Sequence, residues 1–280
     1  MNERIITQEV IENFRKYLIE EEKSIATIEK YVHDVNCFHS WAGDEVIDKT
    51  VVLTYKSALG EKYAATSVNS MLAALNKFFK FLGWNDCCVK RFKIQQKPYC
   101  SEDRELTKIE YMRLINTAEN KGNQRLSLML QTICATGIRV SELEYITVEC
   151  LKKGEVHVSC KGKRRVIFLI PALRKKLLAY VKTKTLVCGP IFITRGGKPV
   201  SRCNIWREMK SLCKEAGVPA AKVFPHNLRH LFARVFYAIE KDIAKLADIL
   251  GHSSINTTRI YIMTTGIEHR RKMEMMKLIL

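Results

Sequence analysis

The chain has 280 residues, close to half of them hydrophobic, a formal net charge of +18 and ten cysteines. That length suggests two domains, each able to bury a core. The charge is lopsided: residues 1–97 carry a net +1 and residues 98–280 a net +17, which favours a polyanionic partner, nucleic acid first, for the back two thirds. No apolar run reaches the ~18 residues needed to span a bilayer. No signal peptide opens the chain, and no helix pairs a basic face with a Trp/Phe face. The expected setting is therefore cytoplasmic, away from the membrane. No C-x-x-C occurs, and the pairs Cys150/Cys160 and Cys203/Cys213 lack zinc spacing. The cysteines read as reduced, mostly buried thiols, with no metal and no cofactor implied.

The front of the chain reads as a four-helix domain over residues 1–90. Val10, Ile11, Phe14 and Leu18 share one face of a helix over 7–22. Ile28, Tyr31, Val32, Val35, Phe38 and Trp41 do so over 25–41. A third helix over 49–59 has Asp48 as its N-cap. A fourth, 67–82, is dense in phenylalanine (78, 79, 81) and is ended by Gly83. Residues 91–104 lose this periodicity, are basic and then polar, and contain Pro98. They read as a linker that lets two lobes close around a long ligand.

The second domain spans 105–280. Thr107 and Glu110 form a capping box at the start of a helix over 108–120. An apolar helix, 125–135, is broken by Gly137. Arg139 follows, and a new helix starts at Ser141-Glu142-Leu143, with Glu142 as the carboxylate neighbour of Arg139. Residues 155–170 are the clearest β signal: Val156, Val158 and Cys160 alternate with polar residues, as do Val166, Phe168 and Ile170 beyond a turn. Lys161, Lys163, Arg164 and Arg165 then cluster at a hairpin tip suited to probing a nucleic-acid groove or backbone. After helices at 172–183 and 201–216, Pro225 opens a helix with an apolar stripe of Leu228, Leu231, Phe232, Val235, Phe236 and Ile239. His226 and Arg229 project from one side of its first turn. A short helix, 242–250, ends at Gly251. His252 follows on the corner, and Tyr261 lies on a third helix capped by Ser253 or Ser254.

Six residues stand out: Arg139, Lys161, His226, Arg229, His252 and Tyr261. Together they supply cations, two imidazoles and a phenol, with no clustered carboxylates for a metal. That set suits transfer of a phosphodiester to a hydroxyl. Two guanidiniums stabilise charge on the non-bridging oxygens. The Tyr261 phenol is the nucleophile and needs help losing its proton. A hairpin lysine serves as general acid for the leaving hydroxyl. A phosphotyrosine conserves the bond energy, which fits the lack of an ATP-binding G-x-x-x-x-G-K-[ST] loop.

The segments ATGIRVSEL, the Lys161 hairpin, HNLRH, GHSS and the tyrosine nine residues past His252 resemble, in order and spacing, the tyrosine recombinase (phage integrase) family of the simple two-domain, Xer-like type. The resemblance runs from about residue 7 to the end. It implies a mainly α fold with a small β-sheet: a helical, SAM-like core-binding domain and a mixed α+β catalytic domain. It implies that Arg139 and Arg229 clamp the scissile phosphate, and that His226 and His252 bind its oxygens and assist proton transfer. Lys161 would protonate the leaving 5′-oxygen, with Lys163 two residues away as the alternative. Tyr261 would form a 3′-phosphotyrosine, Glu142 would buttress, and His230 would be structural. The implied partners are double-stranded DNA recombination sites and a homotetramer on two such sites. The resemblance is to the simple type, for which no arm-binding domain is expected ahead of the core-binding domain. Ile267, Met273, Met276 and Leu280 give the tail an apolar face, for its own domain or for a neighbouring subunit. Two other functions fit parts of the pattern: a type IB topoisomerase or telomere resolvase, which would relax supercoils without exchanging partners, and a catalytically silent DNA-binding accessory protein, which would form no covalent adduct.

Overall fold

A computed structural model describes residues 4–43, 45–94, 104–160, 163–262 and 266–276, without the side chains of residues 160, 163, 266–269 and 272. The chain divides into two compact units, Met1–Gln96 and Lys97–Leu280. Both are dominated by helices; the described strands form one two-stranded sheet.

The first unit holds α1 (Gln8–Glu20), α2 (Ile25–Ala42), α3 (Lys49–Lys62) and α4 (Ala65–Phe81). Asp48 caps α3 by accepting the Val51 N–H, and Gly83, at φ +75°, follows the end of α4. Phe14, Phe38, Phe78 and Phe79 are fully buried and form the centre of the core. Trp41, on the expected inner face of α2, is 42% exposed. Beyond the helices the chain returns along α4. Asn76 exchanges two hydrogen bonds with the Val89 backbone, and Asn69 does the same with Phe92. Two amide side chains thus replace the partner strand that this extended segment lacks.

The second unit runs α5 (Lys108–Asn120), α6 (Gln124–Thr136), a 3-10 turn (Val140–Tyr145), α7 (Val148–Lys153), β1 (Glu155–Cys160), β2 (Lys163–Phe168), α8 (Pro171–Thr183), α9 (Arg202–Ala216), α10 (Pro225–Glu240), α11 (Ile243–Leu250), α12 (Ile255–Tyr261) and α13 (Gly266–Met275). The Thr107–Glu110 capping box is formed at α5. At its centre, α6 contributes Leu126, Met129, Leu130 and Ile133 to a core shared with α5, α8, α9 and α10.

Four expectations need correction. The helix expected from Ser141 is a 3-10 turn, closed by i to i+3 bonds from the Glu142 N–H to the Arg139 carbonyl and from the Ile146 N–H to the Leu143 carbonyl. The hairpin has the opposite phase on its second strand: Ile167 and Leu169 are buried, while Val166, Phe168 and Ile170 face solvent. Val156 pairs with Ile167 and Val158 with Arg165, so Arg165 turns inward instead of joining the hairpin tip. The apolar stripe of α10 is buried only through its first half; Val235 and Ile239 are 42% and 80% exposed. Of the eight free cysteines among the described residues, only Cys87 and Cys213 are buried, while Cys188 and Cys203 are exposed.

Candidate active site

The site is assembled on the C-terminal end of α11. Gly251, at φ +64°, allows a tight reversal in which its N–H bonds the Asp248 carbonyl and the His252 N–H bonds the Ala247 carbonyl. This fixes His252 immediately beyond the helix. Three carbonyls at that end still need donors, and three arginines from separate elements provide them. Arg165 on β2 donates to Ile249 at 2.7 Å. Arg229 on α10 donates to Leu250 at 2.7 Å. Arg139, ahead of the 3-10 turn, donates to Gly251 at 3.2 Å.

Arg229 is only 1% exposed. Its other terminal nitrogen donates to the Gly137 carbonyl at the end of α6. Gly137 has φ +64°, and a Cβ there would meet Phe232 at 2.5 Å. Only glycine lets α6 and α10 approach this closely. Arg139 is more accessible. Its backbone N–H and guanidinium both donate to Glu142 at 2.8 Å, which identifies Glu142, 2% exposed, as the carboxylate neighbour. Burial alone would raise the Glu142 pKa, but its bonds from Arg139 and the charge of Arg165 hold it below the ordinary carboxylate value.

His252 accepts from the Arg229 guanidinium through Nε2 at 3.0 Å and faces the Thr258 hydroxyl through Nδ1 at 2.9 Å. Nε2 must be unprotonated to accept, so Nδ1–H donates to Thr258. Burial, then the charges of Arg229 and Arg139, push the His252 pKa down to about 4. Burial and Arg229 also lower that of His226. Burial, then Arg139, brings Arg229 down to about 10.

Tyr261 ends α12, whose cap is Ser254, accepting from the Asn256 N–H. Its ring is 7% exposed and is surrounded by imidazoles. It stacks on His230 at 4.1 Å between centroids, with His226 at 5.1 Å and His252 at 4.9 Å. The Arg229 guanidinium carbon is 5.9 Å from the ring centroid. Arg139, His226 and Arg229 line a cavity of about 980 Å³ together with Arg202, Trp206 and Arg207 of α9. Arg139 and His252 also line a neighbouring cavity of about 700 Å³ with Arg164 and Arg165.

Five of the six expected residues therefore meet: Arg139, His226, Arg229, His252 and Tyr261. Lys161 lies outside the described residues, as does the side chain of its alternative, Lys163. Sequence reasoning missed two contributors. Thr258 is buried and ties His252 to the helix of the tyrosine; its position three residues before Tyr261, one helical turn away, was the available signal. Arg165 was assigned to the hairpin tip; a two-residue turn at 161–162 would have set it opposite the inward-facing Val158.

Two guanidiniums, two imidazoles and a phenol gathered at the end of α11, on a small helical fold with a β-hairpin, define a tyrosine recombinase catalytic domain. The chain belongs to the phage integrase family: residues 104–266 match that family, and residues 11–86 match its N-terminal SAM-like domain. It is a site-specific DNA recombinase. It is 33% identical to the tyrosine recombinase XerA of Thermococcus kodakarensis, over 94% of this chain and 93% of that protein. A crystal structure of XerA recombinase has 27% identity and a TM-score of 0.55, covering 98% of this chain and all of the other. A lambda integrase tetramer bound to a Holliday junction has the same fold, with a TM-score of 0.73 at 18% identity over 92% of this chain and 77% of that one.

Proposed function

We propose that the chain exchanges DNA strands through a 3′-phosphotyrosine on Tyr261, with Arg139 and Arg229 holding the scissile phosphate. The phenolate oxygen attacks phosphorus, the bond from phosphorus to the 5′-oxygen breaks, and the 5′-oxygen takes a proton. Rejoining reverses these steps on the partner strand. The observation that carries this reading is the convergence of both guanidiniums on the corner that bears His252, with the Tyr261 ring beside it. His252 and His226, both biased toward the neutral form, are suited to accepting a hydrogen bond or a proton near neutral pH. Lys161 is assigned as the acid for the 5′-oxygen from its motif.

The helical first unit takes the role of core-binding domain and Lys97–Leu280 that of the catalytic domain. The active species is a homotetramer on two duplex sites, a reading supported by the lambda integrase assembly. The cytoplasm is its place of action; among the described residues no helix is long and apolar enough to cross a membrane.

A nicked substrate that loses its 5′-strand after cleavage tests the assignment. Wild type should accumulate a covalent 3′ adduct, and Tyr261→Phe should not; an adduct that persists in Tyr261→Phe overturns the choice of nucleophile. A substrate with sulfur in place of the bridging 5′-oxygen needs no proton on leaving, so it should rescue Lys161→Ala and not Lys163→Ala. The reverse pattern moves the acid to Lys163.

A further inference from the structure

Arg165 has no place in the chemistry above, yet it is among the most deeply integrated side chains around the site. It is 11% exposed beside the 2% exposed Glu142. One terminal nitrogen donates to Glu142 Oε2 and the other to the Ile249 carbonyl. Its aliphatic stem crosses Gly251 so closely that a Cβ there would lie 2.8 Å from Arg165 Cδ. The glycine that sets the His252 corner is thus also the gap through which Arg165 reaches.

Glu142 is shared. Oε1 takes the Arg139 guanidinium, and Oε2 takes both the Arg139 backbone N–H and Arg165. Arg165 is therefore one bond removed from Arg139 through Glu142, and it holds the helix end that carries His252 directly. It links β2, the 3-10 turn and α11.

We propose that Arg165 is a positioning residue for DNA cleavage: it fixes the Arg139 arm and the His252 corner in one frame so that both meet the same phosphate. This rests on the phosphotyrosine reading given above. Both terminal nitrogens of Arg165 bond to groups of the protein, so its effect falls on the rate within the bound complex and not on DNA affinity. A displacement of about 1 Å in a phosphate clamp costs roughly 100-fold in rate. Glu142 would still hold Arg139 after loss of Arg165, but nothing would tie that pair to Ile249.

The test measures adduct formation at saturating DNA on two nicked substrates: the phosphodiester, and a methylphosphonate at the scissile position, whose neutral centre depends less on placed cations. Arg165→Met should cleave the phosphodiester about 100-fold more slowly than wild type. Its loss on the methylphosphonate should be several times smaller, with DNA affinity within about twofold, because a residue one bond behind the clamp leaves uniform binding intact. Arg165→Lys, which can satisfy one of the two acceptors, should fall between. If Arg165→Met does not fold, Arg165→Lys and Glu142→Gln carry the same comparison. Equal losses on both substrates would mean a general structural role and overturn the proposal. Loss of affinity with a shallower salt dependence would assign Arg165 to direct phosphate contact instead. An unimpaired Arg165→Met beside an active wild type overturns this inference alone. A wild type that forms no adduct overturns the reading on which it rests.

Discussion

Replacing Gly137 with alanine probes the closest approach in the site. Gly137 has φ +64°, and its added Cβ would sit 2.5 and 2.7 Å from the Phe232 ring and 2.9 Å from Leu250. The left-handed backbone costs an alanine about 1–2 kcal/mol. Forcing a methyl into a packed core costs about 1–3 kcal/mol more. The sum, roughly 2–5 kcal/mol, corresponds to a fall of about 4–20 °C in the melting temperature of a domain this size. Because the Gly137 carbonyl accepts from Arg229, cleavage should fall together with stability. Phe232→Leu separates the two contributions. It opens space for the methyl, so the double variant should be at least ~1 kcal/mol more stable than the two single effects predict by addition. Calorimetric melting of the four proteins reads this directly. A Gly137→Ala protein that melts within a degree of wild type refutes the close approach, and strict additivity refutes Phe232 as the group met.

Arg139→Ala should cut adduct formation by about 10²–10³-fold, the usual cost of one lost transition-state donor, with little change in melting because its side chain is 37% exposed; an active variant would remove Arg139 from the clamp. Burial, then His226, pushes the His230 pKa down to about 3, against about 6.5 in the unfolded chain. Below pH 6.5 the unfolded state therefore binds the extra proton and the folded state does not, so stability falls as pH drops from 6.5 toward 3. His230→Phe, which keeps a ring against Tyr261, should escape that loss, so its melting temperature should gain on wild type between pH 7.5 and 5; a constant difference counts against a neutral buried His230. Arg202 is exposed at the rim of the larger cavity, and if it meets a phosphate, Arg202→Ala should lower the slope of log affinity against log salt by about 0.9. An unchanged slope places Arg202 off the DNA path.

Local signals in the sequence were reliable where one element set them. Asp48, the Thr107–Glu110 box and Gly251 each end or begin a helix through neighbours a few residues away, so their roles were visible without the fold. The phase of β2 was not. Residues 166–170 are five consecutive apolar residues, and a two-residue period cannot choose between faces of such a run. The register opposite β1 makes the choice, burying Ile167 and Leu169. On α10 the stripe continues to Ile239, but periodicity reports an amphipathic helix and not whether a neighbour covers each turn. The site was legible as motifs at set spacings. Its bracing was not, because the contacts of Arg165 and Arg229 with the α11 end span 84 and 21 residues and leave no local pattern.

The paired asparagines of α4 bear on where the first unit can be cut free. A fragment stopped at Gly83 would lose Cys87 and Val89 from the core and leave the Asn69 and Asn76 amides without their backbone partners. A fragment carried through Ile94 keeps both. It also keeps the Phe92 ring within 3.5 Å of the position a Cβ would take on Gly60, with Lys56 above it. The Val89 and Phe92 amides should then exchange with deuterium far more slowly than those of an open extended chain, although they belong to no helix or sheet. Proteases that need a pliable backbone should not find their first cut at the end of α4.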